Sequence, residues 1–418
     1  MSRDASSGVM ALISILAGGF HGGGGGGGET AVPPTSWILR FGFCCYILGG
    51  CCHMAAAQGK HHPSLKDSAG KFDLSDYIVD AHGLVPVPVI ITEPALGGFG
   101  VAVAPVFIER QSPYVDIVHG QRQVTSVVPD VTGGIGAYTL NGTFLAGAFR
   151  AGTLVRSRIK YILGTGYANI NIAFYKTFDQ IGEKELQFNI KTIPVSLQAM
   201  KRIRYSHWYA GLKYLFSKTK LRYIGNDTLE EVKTLETDKI VSEVGAIVEL
   251  DNRDNIFTPD KGMKLHFDAI RSDNIFGSDF DFWRLDYYMY GYWPFAKNLI
   301  GGLRVDGTQT IGDVPFYLVP HITMRGIPAE RYQGNAVVLT ETELRWDILG
   351  RWSGVAFSGL GKAFDDWSDF GSTEWVVTWG AGFRYLLAKT FKLRVGIDIA
   401  HGAGSFAYYI IFGSSWLR

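Results

Sequence analysis

Trp375-Val-Val-Thr-Trp-Gly-Ala-Gly-Phe-Arg-Tyr385 decides the fold. At a period of two, Trp375, Val377, Trp379, Ala381, Phe383 and Tyr385 make one unbroken apolar face, and Arg384 falls on the other. Lys264, His266 and Asp268 likewise oppose Leu265, Phe267 and Ala269. Trp283, Leu285, Tyr287 and Met289 oppose Arg284, Asp286, Tyr288 and Tyr290. Val338, Leu344, Trp346 and Ile348 oppose Glu341, Glu343, Arg345 and Asp347. Leu393, Val395, Ile397 and Ile399 oppose Lys392, Arg394 and Asp398. Helical periodicity is not sustained after residue 58, and no apolar run there is long enough for a membrane helix.

Such strands fit two architectures. A soluble antiparallel sandwich turns its apolar face inward. A transmembrane barrel turns it toward lipid and keeps charges in the lumen. Trp, Tyr and Phe at strand ends, strands longer than the usual five or six residues, and alternation through most of residues 98–412 favour the barrel. The expected fold is therefore all-β, an antiparallel transmembrane β-barrel. About ten residues per strand plus turns gives roughly 16 strands, with 14 as the lower count. Stretches 111–130, 217–240 and 309–334 do not alternate and read as loops.

Composition agrees. The 418 residues carry 40 Lys+Arg and 39 Asp+Glu, a formal net charge of +1, which excludes a nucleic-acid protein held by a basic field. Charged residues are only 19% and aromatics 13%, as suits a chain facing lipid. The four cysteines, Cys44, Cys45, Cys51 and Cys52, are clustered, so they form neither a disulfide framework nor a four-ligand zinc site.

The same cluster lies in a targeting signal. Arg40 precedes the apolar run Phe41 to Cys52, and Ala55-Ala56-Ala57 offers a small-residue cleavage site before Gln58. Leu48-Gly49-Gly50-Cys51 is the competing lipoprotein pattern, with acylation at Cys51. Upstream, glycines run without interruption from Gly22 to Gly28, a low-complexity leader. The expected organisation is a leader and signal peptide over 1–57, a short periplasmic segment over 58–97, and the barrel over 98–418 with an inward-folded loop at 309–334.

Four motifs resemble the BamA/TamA superfamily of bacterial surface antigens. Asp251-Asn-Arg-Asp-Asn-Ile-Phe-Thr-Pro-Asp-Lys-Gly262 is similar to its typical turn. Met324-Arg-Gly-Ile327, in the longest late loop, resembles its lumenal loop motif. Glu341-Thr-Glu-Leu-Arg345 follows as the next strand should. Ile397-Asp-Ile-Ala400 and Phe406 to Gly413 resemble the closing strands. The match covers roughly residues 70–418 in the right order. Three features depart from it. The family's Phe-x-Asp reads Phe357-Ser-Gly359, without the acid. The stretch from Gln58 to Gly98 is too short for a periplasmic domain. Trp416 is followed by Leu417 and Arg418 rather than ending the chain.

The residues have their own chemistry. Asp251, Asn252, Asp254, Asn255, Pro259 and Gly262 are turn formers, and the motif, which includes Arg253, predicts a tight hairpin turn with no further role. A guanidinium at Arg325 can fork onto carboxylates, and Gly326 lets the backbone turn sharply beside it. The resemblance implies that Arg325 holds its loop inside the barrel. Glu343 and Asp398, both expected to face the lumen, are its candidate partners.

No nucleophile elbow, P-loop, zinc-helix or dinucleotide motif occurs, so no catalytic residue, metal or cofactor is expected. The resemblance implies an outer-membrane barrel of a Gram-negative-type bacterium, assisting insertion or translocation of proteins or lipids. Its partners would be outer-membrane lipid, unfolded outer-membrane protein or lipid substrates, and a soluble periplasmic accessory protein. A passive pore and a structural surface antigen are the alternatives.

Overall fold

The computed structural model describes residues 64–75, 83–91, 99–109, 114–118, 121–125, 130–178, 182–204, 206–225, 237–328 and 330–416. The expected leader and signal peptide lie outside the described residues. Among the described residues eighteen strands follow in order. They are β1 Gly83–Ile91, β2 Gly100–Glu109, β3 Tyr114–Val118, β4 Gln121–Thr125, β5 Asp130–Thr139 and β6 Phe144–Leu154. Next come β7 Ile159–Phe178, β8 Gly182–Arg202, β9 Trp208–Tyr223, β10 Thr237–Asp251, β11 Gly262–Ser272 and β12 Phe282–Ala296. The last are β13 Leu299–Gly312, β14 Ala336–Leu349, β15 Trp352–Phe364, β16 Val376–Ala388, β17 Leu393–Gly402 and β18 Ser405–Phe412.

Sixteen of these form one antiparallel sheet in chain order, and β3 and β4 pair with each other as a side hairpin. Among the described residues the sheet thus has the expected number of 16 strands, fifteen within 98–412 and β1 ahead of them, and the chain is an all-β antiparallel barrel. Alternation sorts side chains as the sequence requires. On β16, Trp379 is 55% exposed on the outer face and Arg384 2% exposed on the inner. The outer surface is apolar and aromatic, including Phe267, Trp283, Leu344, Trp346, Val377, Phe383 and Ile399. The lumen holds buried ion pairs beside β13, β14 and β17 and a buried apolar cluster on the inner faces of β7 to β9.

Two expected boundaries move. The sheet starts at β1, inside the stretch 58–97 read as a segment ahead of the barrel. Pro86 and Pro88 would be out of place in a central strand. β1 stands at the end of the sheet order, where proline is tolerated. The loops are also shorter than expected: β9 continues to Tyr223 and β10 begins at Thr237, and β13 continues to Gly312. Residues 111–130 contain the β3–β4 hairpin.

Chain direction gives the barrel two ends. One carries the loops after β9, β11, β13 and β15, and will be called the loop end. The other carries the turns after β10, β12, β14 and β16, together with residues 64–75.

That last segment clasps the turn end. Arg351, in the β14–β15 turn, donates to Asp67 and Asp73 at 2.6 Å each. Tyr385 Oη donates to the Phe72 carbonyl, and the Thr390 amide to Ser75 Oγ. Burial alone would push the Asp73 carboxyl up, but hydrogen bonds from Arg351 and Ser75 outweigh it and bring it down to about 2. A folded pKa below the ordinary 3.8 stabilises above that value and is lost as pH falls toward 2. Amide protection over residues 64–75, taken against the intrinsic exchange rate at each pH, should therefore fall between pH about 4 and about 2, and Asp73→Asn should leave it low throughout. Protection unchanged in the variant would contradict the clasp.

Candidate functional site

The loop between β13 and β14, residues 313–335, crosses the lumen as a strap with two anchors. Its 3-10 turn Phe316–Leu318 packs on the inner wall of β7 to β9, where Tyr317 joins Ile170, Leu186, Phe188 and Leu221. The rings of Phe316 and Phe188 are 5.7 Å apart. The chain then doubles back as an arm closed by the His321–Gln333 bridge and the Ile322 amide to the Tyr332 carbonyl. The tip, Met324 to Ile327, reaches the opposite wall. There Ile322, Met324 and Ile327 pack with Val337 and Leu339 of β14. In the sheet order β8 and β16 lie half a circuit apart, so the strap spans the barrel. Burying each of these apolar side chains is worth about 1.5–3 kcal/mol.

Arg325 is the polar anchor. Its Nη1 donates to Glu343 at 2.8 Å and to Asp398 at 2.9 Å, and its Nε to Glu341 at 3.4 Å. The guanidinium carbon lies 3.5 Å from the Phe357 ring centroid. Both carboxylates named from sequence therefore meet Arg325, one from β14 and one from β17. The network extends further. Arg304 donates to Glu341 at 2.6 Å and to Asp306 at 2.9 Å, and Arg384 to Asp398 at 2.8 Å. Among the described residues, three arginines thus meet four carboxylates, a nearly balanced and largely buried set. Removing one member of such a buried set leaves an uncompensated charge and typically costs about 3–5 kcal/mol.

Gly326 makes the tip fit. Its φ is +90°, and a Cβ would sit 3.0 Å from the His401 carbonyl carbon. Its amide donates to Tyr409 Oη at 2.8 Å, tying the tip to β18. Glycine is required here on conformation and on space together.

Sequence reasoning missed Glu341 as a partner. Glu341 and Gly359 are paired residues of β14 and β15, and a Cβ on Gly359 would lie 3.0 Å from Glu341 Cγ. The carboxylate absent from position 359 is thus supplied from the strand beside it. Only the strand register shows this.

The turn end is plugged as well, and the motif 251–262 is more than a tight turn. Arg253 is buried and forks onto Asp251 at 3.0 and 2.8 Å. Asp254 caps the amides of Asp260 and Lys261 and meets Lys392 Nζ at 2.9 Å. Asp260 pairs with Lys392 and with Arg345, which also donates to the Pro259 carbonyl. Gly262 closes the turn at φ +100°, where a Cβ would meet the Asn252 carbonyl at 2.6 Å. The turn so folds across the mouth to reach β14 and the β16–β17 turn, which corrects the expectation of a plain hairpin. The C-terminal residues Gly413 to Trp416 enter beside it. Trp416 is 3% exposed against Tyr290 and Tyr292, and Ser415 donates to Glu343 at 2.9 Å.

β14 is therefore a rail. Glu341, Glu343 and Arg345 point inward at alternate positions. Glu341 and Glu343 hold the strap from the loop end, Glu343 also takes the tail, and Arg345 holds the turn.

No protein-family model matches the sequence, and no curated protein matches it. Solved structures do. BamA of Haemophilus ducreyi lacking POTRA domains 1–3 matches with a TM-score of 0.56 at 12% identity, over 78% of this chain and 69% of that one. The fold is that of the BamA and CdiB barrels. CdiB of Escherichia coli matches with a TM-score of 0.53 at 10% identity, over 78% of this chain and 61% of that one. CdiB of Acinetobacter baumannii matches with a TM-score of 0.50 at 10% identity, over 79% of this chain and 59% of that one. The chain thus spans about 60–70% of the length of these BamA and CdiB chains.

Proposed function

We propose that this BamA/CdiB-like barrel lies in the outer membrane of a Gram-negative-type bacterium and assists insertion or translocation of protein or lipid substrates there, without a catalytic step. The loop end faces outward, since longer loops mark the extracellular side. The observation that carries the reading is the strap fixed by Arg325 across the lumen. A barrel filled from both ends is poorly suited to passive flow, so its working surface is its edge.

The first strand supports this. Pro86 pairs with Pro105, and the β2–β5 pairing is interrupted at Ala104 and Pro105. Pro105 therefore turns its missing N–H toward β5, and its antiparallel partner Pro86 turns its own away from β2. Pro88, two residues on, does the same. The outer edge of β1 thus lacks two donors where it would meet β18, which weakens a seam there and leaves carbonyls for an incoming strand. Substrates would be unfolded outer-membrane proteins or lipids, with a soluble periplasmic protein as helper.

Reconstitution tests it. Vesicles holding the protein should speed the folding of an added unfolded outer-membrane β-barrel protein several-fold over empty vesicles, and Pro86→Val with Pro88→Val should reduce the gain. Equal rates with and without the protein, for protein and for lipid transfer alike, would overturn the reading.

A further inference from the structure

We propose that the outer face of β8 and β9, just above the lipid-facing belt, binds the phosphate groups of the outer-leaflet glycolipid through Lys191, Lys218 and Arg222. The proposal rests on the outer-membrane reading above.

The geometry begins with the belt. On β8 the outward residues Ile193 and Leu197 are well exposed, and on β9 so are Trp208 and Leu212. On β8 the exposed residues Lys191 and Lys201 bracket this apolar stretch. At about 3.3 Å per residue and about 40° tilt they are roughly 25 Å apart along the membrane normal, the height of a barrel's apolar band. Lys191 lies toward the loop end. It is thus at headgroup level in the outer leaflet.

Cations gather at that level. Lys191 pairs with Lys220, Ile193 with Lys218 and Asn189 with Arg222 across the two strands. All four cations are exposed and share the outward face. Cross-strand and i, i+2 neighbours on one face lie about 5–7 Å apart, so the four form one patch. Like charges so placed repel each other, and a structural role would pair them. Only Lys220 is paired, with Asp238 at 3.2 Å. Among the described residues, Lys191, Lys218 and Arg222 have no carboxylate within 4.0 Å. The shelf beside them is fixed, since Asn189 Nδ2 donates to Asn169 and Asn171 at 2.7 and 2.8 Å. A patch of unpaired cations at the acyl–headgroup boundary calls for anions held at the same depth. Phosphates of a membrane glycolipid meet that need, and Arg222 can fork onto one.

The test uses the full chain, purified in mild detergent, and native mass spectrometry. Three probes are added: the phosphorylated outer-leaflet glycolipid, the same glycolipid after phosphatase treatment, and phosphatidylglycerol. The phosphorylated glycolipid should stay bound most tightly. Each cation at an anionic surface is worth roughly fivefold in affinity, so Lys191→Gln/Lys218→Gln/Arg222→Gln should weaken that binding roughly a hundredfold. Equal retention by the variant, or equal binding of the dephosphorylated glycolipid, would overturn the proposal. Phosphatidylglycerol bound as tightly would overturn the choice of outer-leaflet lipid. The comparison among lipids needs no variant. Folding assistance in neutral vesicles should be unaffected by the triple substitution, so failure here is separable from failure of the functional reading.

Discussion

Deleting residues 313–335 and joining Gly312 to Ala336 by a two-residue turn should turn a barely conducting barrel into a pore. The intact strap crosses the lumen from the β7–β9 wall to the β14–β17 wall. A barrel of 16 strands is wide enough for an aqueous channel once nothing fills it. Single-channel conductance in planar bilayers should rise at least about tenfold over the intact protein. The pore should also prefer cations. Loss of Arg325 leaves Arg304 and Arg384 against Glu341, Glu343, Asp398 and Asp306, an excess of two negative charges. The turn 252–261 and the tail 413–416 still narrow the other mouth. Removing them as well should raise conductance again. Unchanged conductance after strap deletion would mean that something else closes the barrel.

Arg325→Glu should be the most destabilising single substitution in the lumen. It replaces the shared cation of Glu341, Glu343 and Asp398 by a fourth carboxylate. A buried pair broken in this way typically loses about 3–5 kcal/mol, and reversal should reach the upper end. Urea unfolding of the vesicle-reconstituted protein would measure the loss. Arg325→Lys should be milder but still costly, because an ammonium cannot fork onto carboxylates from two strands. The combination of Arg325→Glu with Glu343→Arg should recover only part of the stability, since Asp398 and Glu341 still face position 325. Full recovery would make Glu343 the only partner that matters. A loss below about 1 kcal/mol in the single variant would place Arg325 in water rather than in a buried network.

Much of this was legible in the sequence. Period-two patterning at 264–269, 283–290, 337–348, 375–385 and 392–399 sorts side chains as the structure does, because one-residue slips would put charges on lipid. It also gave Arg325 two carboxylates on the correct face. What it could not give was contact across strands. Glu341 and Glu343 have the same parity, and only the register of β14 against β15 brings Glu341 over Gly359. The inward fold of 252–261 was hidden because its turn formers specify a reversal, not the place where the reversal lands. Its landing depends on Lys392 and Arg345, 85 to 138 residues away in sequence. The seat of Trp416 against Tyr290 and Tyr292 is likewise a contact between distant strands that patterning along the chain does not show.

Thiol accessibility tests the plugged lumen most directly, because the only natural cysteines, Cys44, Cys45, Cys51 and Cys52, lie together near the start of the chain. These would be replaced by serine, and single cysteines introduced at Ile327, 4% exposed on the strap tip, and at Ile275, 84% exposed in the β11–β12 loop. A bulky, charged maleimide should label Ile275→Cys at once and leave Ile327→Cys unmodified until Arg325→Glu is added or the barrel is unfolded. Rapid labelling of both positions in the otherwise intact protein would show that the tip lies outside the barrel and would contradict the account.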